Sequence, residues 1–164
     1  MMFFRAVLLL TALLCSLTAG LLLTFAIVVM PGIGRLDDRN FLRAFQVIDR
    51  VIQNNQPVFM LMWIGSVLAL LTAAVLGVWQ LRGDNRVLII TAALVYFLGV
   101  QLPTFQVNVP LNNKLQTLDP CAMSERAQKE ARDNFEQRWN RWNLVRTACS
   151  IVTSILLLLL LTRL

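Results

Sequence analysis

The stretch from residue 101 to residue 113, QLPTFQVNVPLNN, places amides and two prolines at the end of a long apolar run. At helical spacing, four polar side chains fall on one face of this stretch: Gln101, Thr104, Asn108 and Asn112. Each proline removes a backbone donor and disfavours a straight helix, so backbone carbonyls could also become available there. The stretch therefore predicts a polar face that needs a partner, either a ligand or another helix.

A second stretch, FEQRWNRWNLVRT, places four more such side chains on one helical face just before the last apolar run: Trp139, Trp142, Asn143 and Arg146. A guanidinium at the membrane midplane is costly, although near the interface it can snorkel, so we expect Arg146 to have a function. The tryptophans also suit an aromatic belt at the membrane surface, which is the structural alternative to a binding role.

The composition excludes several kinds of site. Histidine is absent, which removes the usual haem ligand, the common copper and iron ligands and the usual general base. Cys15, Cys121 and Cys149 are far apart, with no C-x-x-C pair, so no zinc site is predicted. The net charge of +6 suits anionic headgroups, but the basic residues are scattered among acids, which argues against nucleic acid. We predict no metal and no cofactor.

The elements that must position these residues are membrane spans. The chain has 164 residues, of which 57% are hydrophobic, and this is too apolar for a soluble domain of that size. We predict an all-α, integral membrane four-helix bundle that forms one domain over 1–164. Its first span is expected to be retained rather than cleaved as a signal peptide. The predicted spans are about 3–30, 58–81, 87–110 and 143–163.

Two further helical segments are predicted outside the spans. Between the first two spans, residues 35–56 have an apolar side that contains Phe41, Phe45, Ile48 and Ile52, with Arg39, Arg43, Gln46 and Arg50 largely opposite. This segment is expected to be an interfacial helix or a lid, or else a solvated connector. Asp49 lies at the edge of the apolar side, where a carboxylate needs a cation. A ladder of opposite charges after Ser124 predicts a soluble helical extension before the fourth span.

The order of the spans brings the two polar stretches and Asp49 to the same side of the membrane. These side chains can therefore converge on one pocket mouth. The alternative is a structural polar clasp that holds the four helices in register.

The sequence contains MPGIGRL, FQVIDRVIQN followed by PVFMLMWIGS, NVPLNNKL and RWNRWNLVRT. Together these motifs resemble the anthrone-oxygenase-like family of small four-span membrane proteins. The resemblance implies oxidation of anthrones to anthraquinones without haem or flavin. The residues that match its recurrent pattern are Asn108, Pro110, Asn112, Trp139, Trp142, Asn143 and Arg146. Asp49 departs from this pattern, in which asparagine is more common.

If the chain is an oxygenase of that type, Arg146 would stabilise an enolate or peroxide anion. The expected catalytic residues are Arg146, Asn108 and Asn112. The expected substrate-binding residues are Trp139, Trp142, Asn143, Asp49 and Gln101, with Asp49 or Glu136 as a weak choice of base.

The expected partners are membrane lipid, a hydrophobic aromatic molecule, and a second copy or another membrane protein. The expected location is the bacterial inner membrane. A non-enzymatic module that binds a lipid, a hydrophobic ligand or a membrane protein is the competing hypothesis, and a transporter is a weaker one because no inverted repeat is present.

Overall fold

The protein is a bundle of long helices in the computed structural model, which describes residues 2–164. The five helices are α1 Met2–Ile33, α2 Asp38–Gln53, α3 Pro57–Gln80, α4 Gly83–Gln116 and α5 Glu125–Thr162. By length and composition, α1, α3, α4 and α5 can each cross a membrane. The predicted fold class, an all-helical four-span membrane bundle, is confirmed.

The helices begin where the sequence supplies a cap. The Asp37 carboxylate accepts the backbone N–H of Asn40 at 2.9 Å, which fixes the start of α2 and lowers the pKa of Asp37. The Ser124 hydroxyl accepts the N–H of Ala127 at the start of α5. Only Leu81 and Arg82 separate α3 from α4, so these two helices are antiparallel neighbours.

Each span packs against the span that follows it, and α5 closes the ring by packing on α1. Small residues allow these close approaches. A Cβ atom on Gly77 would lie 2.9 Å from Ile89 of α4, and one on Gly99 would lie 2.4 Å from Sγ of Cys149 on α5. Gly77 of α3 thus lies in a packing surface, where the absence of a side chain lets α4 approach closely.

One half of the bundle has a continuous apolar core. It includes side chains from all four spans with no exposed surface: Phe4, Leu8, Leu70, Ile89, Tyr96, Leu157 and Leu160. A second apolar cluster lies at the opposite end, where α2 packs on α5 through Phe41, Phe45, Phe135 and Trp139. The space between the two clusters is where the predicted polar residues meet.

Three prolines in the spans follow a π-helical turn: Pro31, Pro103 and Pro110 come after Phe25–Val29, Phe97–Gln101 and Thr104–Asn108. The residue before each proline donates its N–H to the carbonyl five residues back, as Val109 does to Thr104. Because proline lacks the donor that the next carbonyl would need, a widened turn accommodates the ring. These π-helical turns are the departure from a straight helix that the prolines predicted.

The predicted helical extension before the fourth span forms the first part of α5, which runs for 38 residues without a break. One sequence-based expectation needs correction. Gln46 does not lie on the polar side of α2. It is buried and donates from Nε2 to the carbonyls of Leu115 and Leu118, at 2.8 and 3.0 Å. It therefore ties α2 to the end of α4.

Candidate functional site

A cavity of about 390 Å³ lies between the apolar core and α2, and all five helices contribute to its wall. Its lining is mostly aromatic and aliphatic. The apolar side chains are Leu21, Leu22, Phe25, Phe45, Ile52, Phe59, Met60, Trp63, Ile64, Phe105, Val109 and Trp139. The polar side chains are Asp49, Thr104, Asn108, Asn112, Asn143 and Arg146. An apolar pocket of this size with a few convergent polar groups is typical of a small-molecule site.

Arg146 supplies a buried cation without a counter-ion. Arg146 is only 5% exposed. Its guanidinium donates from Nη1 to Thr104 Oγ1 at 3.1 Å and from Nη2 to Asn143 Oδ1 at 2.9 Å. Its Nε has no partner, and no carboxylate among residues 2–164 lies within ion-pair distance of it. An uncompensated buried charge is unfavourable, so this position favours an anionic ligand.

The two acceptors of Arg146 are themselves held in place. Thr104 donates its hydroxyl to the carbonyl of Val100 at 2.7 Å, and Asn143 donates from Nδ2 to the carbonyl of Leu22 at 3.1 Å. The guanidinium carbon also lies 5.6 Å from the ring centroid of Trp139. The cation therefore has a fixed position between α1, α4 and α5.

Asp49 supplies the carboxylate that lines the cavity. Its Oδ1 accepts from Asn112 at 2.7 Å, and its Oδ2 accepts from Gln53 at 2.7 Å and from Gln116 at 2.9 Å. We expected a cation beside Asp49. Its three hydrogen-bond donors are instead side-chain amides. Burial raises the pKa of Asp49, and the three amide donors oppose this rise.

Asn112 connects this carboxylate to α5. It donates to Asp49 and accepts the indole N–H of Trp139 on its Oδ1 at 2.8 Å. Asn108, one turn deeper, donates to the Trp139 carbonyl at 3.3 Å, while its buried Oδ1 has no partner. The result is a carboxylate, amide and indole chain that fixes the aromatic ring of Trp139 in the cavity wall.

The structure brings six of the predicted site residues to one cavity: Asp49, Asn108, Asn112, Trp139, Asn143 and Arg146. Gln101 is buried but does not line it, and neither polar atom of its side-chain amide has a partner among residues 2–164. Trp142 is half-buried and lies outside the cavity. Glu136 is also outside and accepts a hydrogen bond from Arg132 at 2.7 Å.

Sequence reasoning missed the apolar wall supplied by α1 and α3. Phe59 and Trp63 stack with their centroids 5.7 Å apart, and both line the cavity together with Phe25. Their spacing of four residues at the start of the second span was a usable signal, since it puts two aromatic rings on one face near the predicted pocket mouth. Among residues 2–164, no group of three or more Asp, Glu or Cys side chains is arranged to hold a metal ion.

Fold and site together define a four-span helical membrane protein whose apolar cavity contains one guanidinium and one carboxylate that do not contact each other. The chain matches the model of the family described as Anthrone oxygenase over residues 50–156, and it belongs to that family. The match confirms the resemblance seen in the motifs. It covers α3, α4 and most of α5, and it begins one residue after Asp49. A comparison with curated proteins found no match, and neither did a comparison with solved structures.

Proposed function

We propose that this protein is a cofactor-independent oxygenase of the bacterial cytoplasmic membrane that acts on a hydrophobic, electron-rich aromatic substrate of the anthrone type. The observation that carries the proposal is the Arg146 guanidinium, which has no counter-ion, in the wall of a mostly apolar cavity. Membership of the anthrone oxygenase family supports the substrate class. An enolate formed from such a substrate has the negative charge and the flat apolar body that this cavity can receive.

The reaction consumes one O₂ for each CH₂ group that becomes a carbonyl, and it releases one water. Loss of one C–H proton gives the enolate, whose carbon adds O₂ and forms a peroxide anion. Protonation of that anion gives a hydroperoxide. Loss of the second C–H proton then forms the C=O bond while the O–O bond breaks, and hydroxide leaves with both electrons of the broken bond. The four electrons removed from the carbon are those that O₂ accepts.

The side chains of the cavity suit the charges in this sequence. Arg146 would stabilise the enolate and then the peroxide anion, because it has no carboxylate partner to neutralise it. Asn108 and Asn143 would orient the substrate oxygens next to it. Asp49 is the base that the geometry supports, since Glu136 lies outside the cavity and is paired with Arg132.

The test is oxygen uptake by the purified protein in detergent with a supplied anthrone. The wild type should consume one O₂ per molecule of quinone formed. Arg146→Met should lower turnover by roughly 10² to 10³, the loss typical of removing one donor that stabilises an oxyanion. Arg141→Met, an exposed arginine on the same helix, is the matched control and should retain full turnover. Equal turnover by the wild type and Arg146→Met would refute the proposed role.

A binding module is the second candidate, and the hydrogen bonding of Asp49 favours it. This carboxylate already accepts three amide N–H groups, which occupy its oxygens and make it a weaker base than an equally buried carboxylate without such donors. A protein of this kind would bind the same aromatic anion next to Arg146 without oxidising it. Saturable binding of the anthrone with oxygen uptake no faster than the protein-free rate would select this function.

A further inference from the structure

A groove on the outer surface of the bundle lies between the last part of α4 and the first half of α5, separate from the cavity described above. It measures about 380 Å³ and is lined by Gln106, Val107, Pro110, Leu111, Lys114, Asn134 and Arg138. Four of these residues are polar or basic, three are apolar, and none is acidic. We call it the Lys114 groove.

The polar side chains of the Lys114 groove have no partner within the protein. Gln106, Lys114, Asn134 and Arg138 are exposed, and none of these four side chains makes a hydrogen bond or ion pair with any other part of residues 2–164. Nearby polar residues differ, since Gln116 donates to Asp49 and Arg132 pairs with Asp38 and Glu136. The groove thus presents two cations and two amides to an external ligand.

The groove lies where both helices change from polar to apolar surfaces. On α4, the outward residues that precede it are apolar, such as Leu102 and Phe105, which are 43% and 65% exposed. On α5, the exposed Leu144 and Val145 follow it. Such a change in exposed surface marks the boundary between the headgroups and the hydrocarbon of a bilayer.

A basic surface alone does not explain why Gln106 lies in the groove, because its side chain is an uncharged amide. Gln106 precedes Lys114 by eight residues, which is about 12 Å along the helix, on the apolar side of this boundary. An exposed amide among Leu102, Phe105 and Val109 is unfavourable in hydrocarbon unless it forms a hydrogen bond. A polar group that reaches down from the headgroup region would provide one.

We propose that the Lys114 groove binds the headgroup of an anionic phospholipid. Lys114 and Arg138 attract the phosphate, which carries the complementary charge, and Asn134 donates to its oxygens. Gln106 bonds to the glycerol ester groups, which lie deeper than the phosphate. Val107, Pro110 and Leu111 contact the upper part of an acyl chain, which continues along Leu102.

The experiment measures one-to-one lipid adducts of the purified full chain by native mass spectrometry. Phosphatidylglycerol should bind more tightly than phosphatidylcholine. In the double variant Lys114→Gln with Arg138→Gln, binding of phosphatidylglycerol should weaken roughly 30-fold, because each cation near an anionic headgroup contributes roughly fivefold. The variant Lys114→Arg with Arg138→Lys keeps both charges and should retain the preference.

The matched control is Arg5→Gln with Arg163→Gln, which removes two exposed cations at the opposite end of the bundle. It lowers the net charge from +6 by the same two units and should leave phosphatidylglycerol binding unchanged. Soluble glycerol 3-phosphate at the same concentration should not compete, since it lacks the acyl chains that Val107, Pro110 and Leu111 contact. Equal losses in the double variant and this control, or full competition by glycerol 3-phosphate, would overturn the proposal.

Discussion

The two halves of this bundle are packed in opposite ways. In the half near the termini, small residues such as Gly77 bring the helices together, and Leu8, Leu70 and Ile89 have no exposed surface. In the other half, three prolines with π-helical turns interrupt the regular helices, and a cavity of about 390 Å³ remains between them. The contrast suggests that one half holds the spans together, while the other leaves room for a ligand beside Arg146.

The largest effect on stability should come from a substitution in the closed half. Leu70→Ala should lower the free energy of unfolding by about 2–5 kcal/mol, because its fully buried side chain leaves a void that the packed spans cannot fill. Met60→Ala in the cavity wall should cost less than about 1 kcal/mol, because Met60 already faces open space and its truncation creates no new enclosed void. Unfolding by denaturant in mixed micelles measures both. Equal losses of unfolding free energy in the two variants would mean that the two halves do not differ in packing.

A smaller loss is expected where the two halves meet. Gly99→Ala would put a Cβ atom 2.4 Å from Sγ of Cys149, so α4 and α5 must separate, at a cost of about 1–3 kcal/mol. This separation would also move Thr104 relative to Arg146. Ligand affinity should therefore fall together with stability, unlike in Leu70→Ala. A decrease in thermal stability with unchanged affinity would show that the cavity does not depend on this contact.

The smallest effect on stability should come from Asp49→Asn. Asparagine has one acceptor oxygen where the carboxylate accepts three N–H groups, so at least one hydrogen bond is lost, at a cost of about 0.5–1.5 kcal/mol. The measurement is unfolding as a function of pH. Asp84→Asn, an exposed acid at the start of α4, is the control.

The pH dependence of this variant has a defined sign. Because folding raises the pKa of Asp49, the folded state binds its proton more readily than the unfolded chain. The contribution of Asp49 to the free energy of unfolding therefore falls as the pH rises from the ordinary aspartate pKa through the raised value. Asp49→Asn should remove this dependence on pH. Oxygen uptake that depends on the carboxylate as a base should rise over the same interval. The same pH profile in the wild type and the variant would contradict both expectations.

The four spans and the amphipathic α2 could be predicted because apolar runs and helical periodicity depend on residues close together in the chain. The polar face of α4 was predicted for the same reason, since Gln101, Thr104 and Asn108 are buried while Leu102 and Phe105 are exposed. Asn143 and Arg146 likewise share a face of α5 that points into the bundle.

The errors arose where helices meet. Gln46 resembles a surface residue of α2, but its side-chain amide donates to the carbonyls of Leu115, at the end of α4, and Leu118, just beyond it. The amides that surround Asp49 come partly from residues more than 60 positions away, so no local pattern reveals them. Trp142 is only one residue from Asn143, yet a rotation of about 100° per residue is enough to place it outside the cavity.

Ligand binding tests the role of Arg146 most directly. The measurement compares the affinities of a fused-ring aromatic phenolate and its uncharged methyl ether for the wild type, Arg146→Met and the control Arg141→Met, by equilibrium titration in detergent. An anion site beside Arg146 predicts that the phenolate binds the wild type and Arg141→Met at least roughly tenfold more tightly than it binds Arg146→Met, while the ether binds all three equally. Equal binding of the phenolate to all three proteins would contradict it and would leave Arg146 as a structural clasp between α4 and α5.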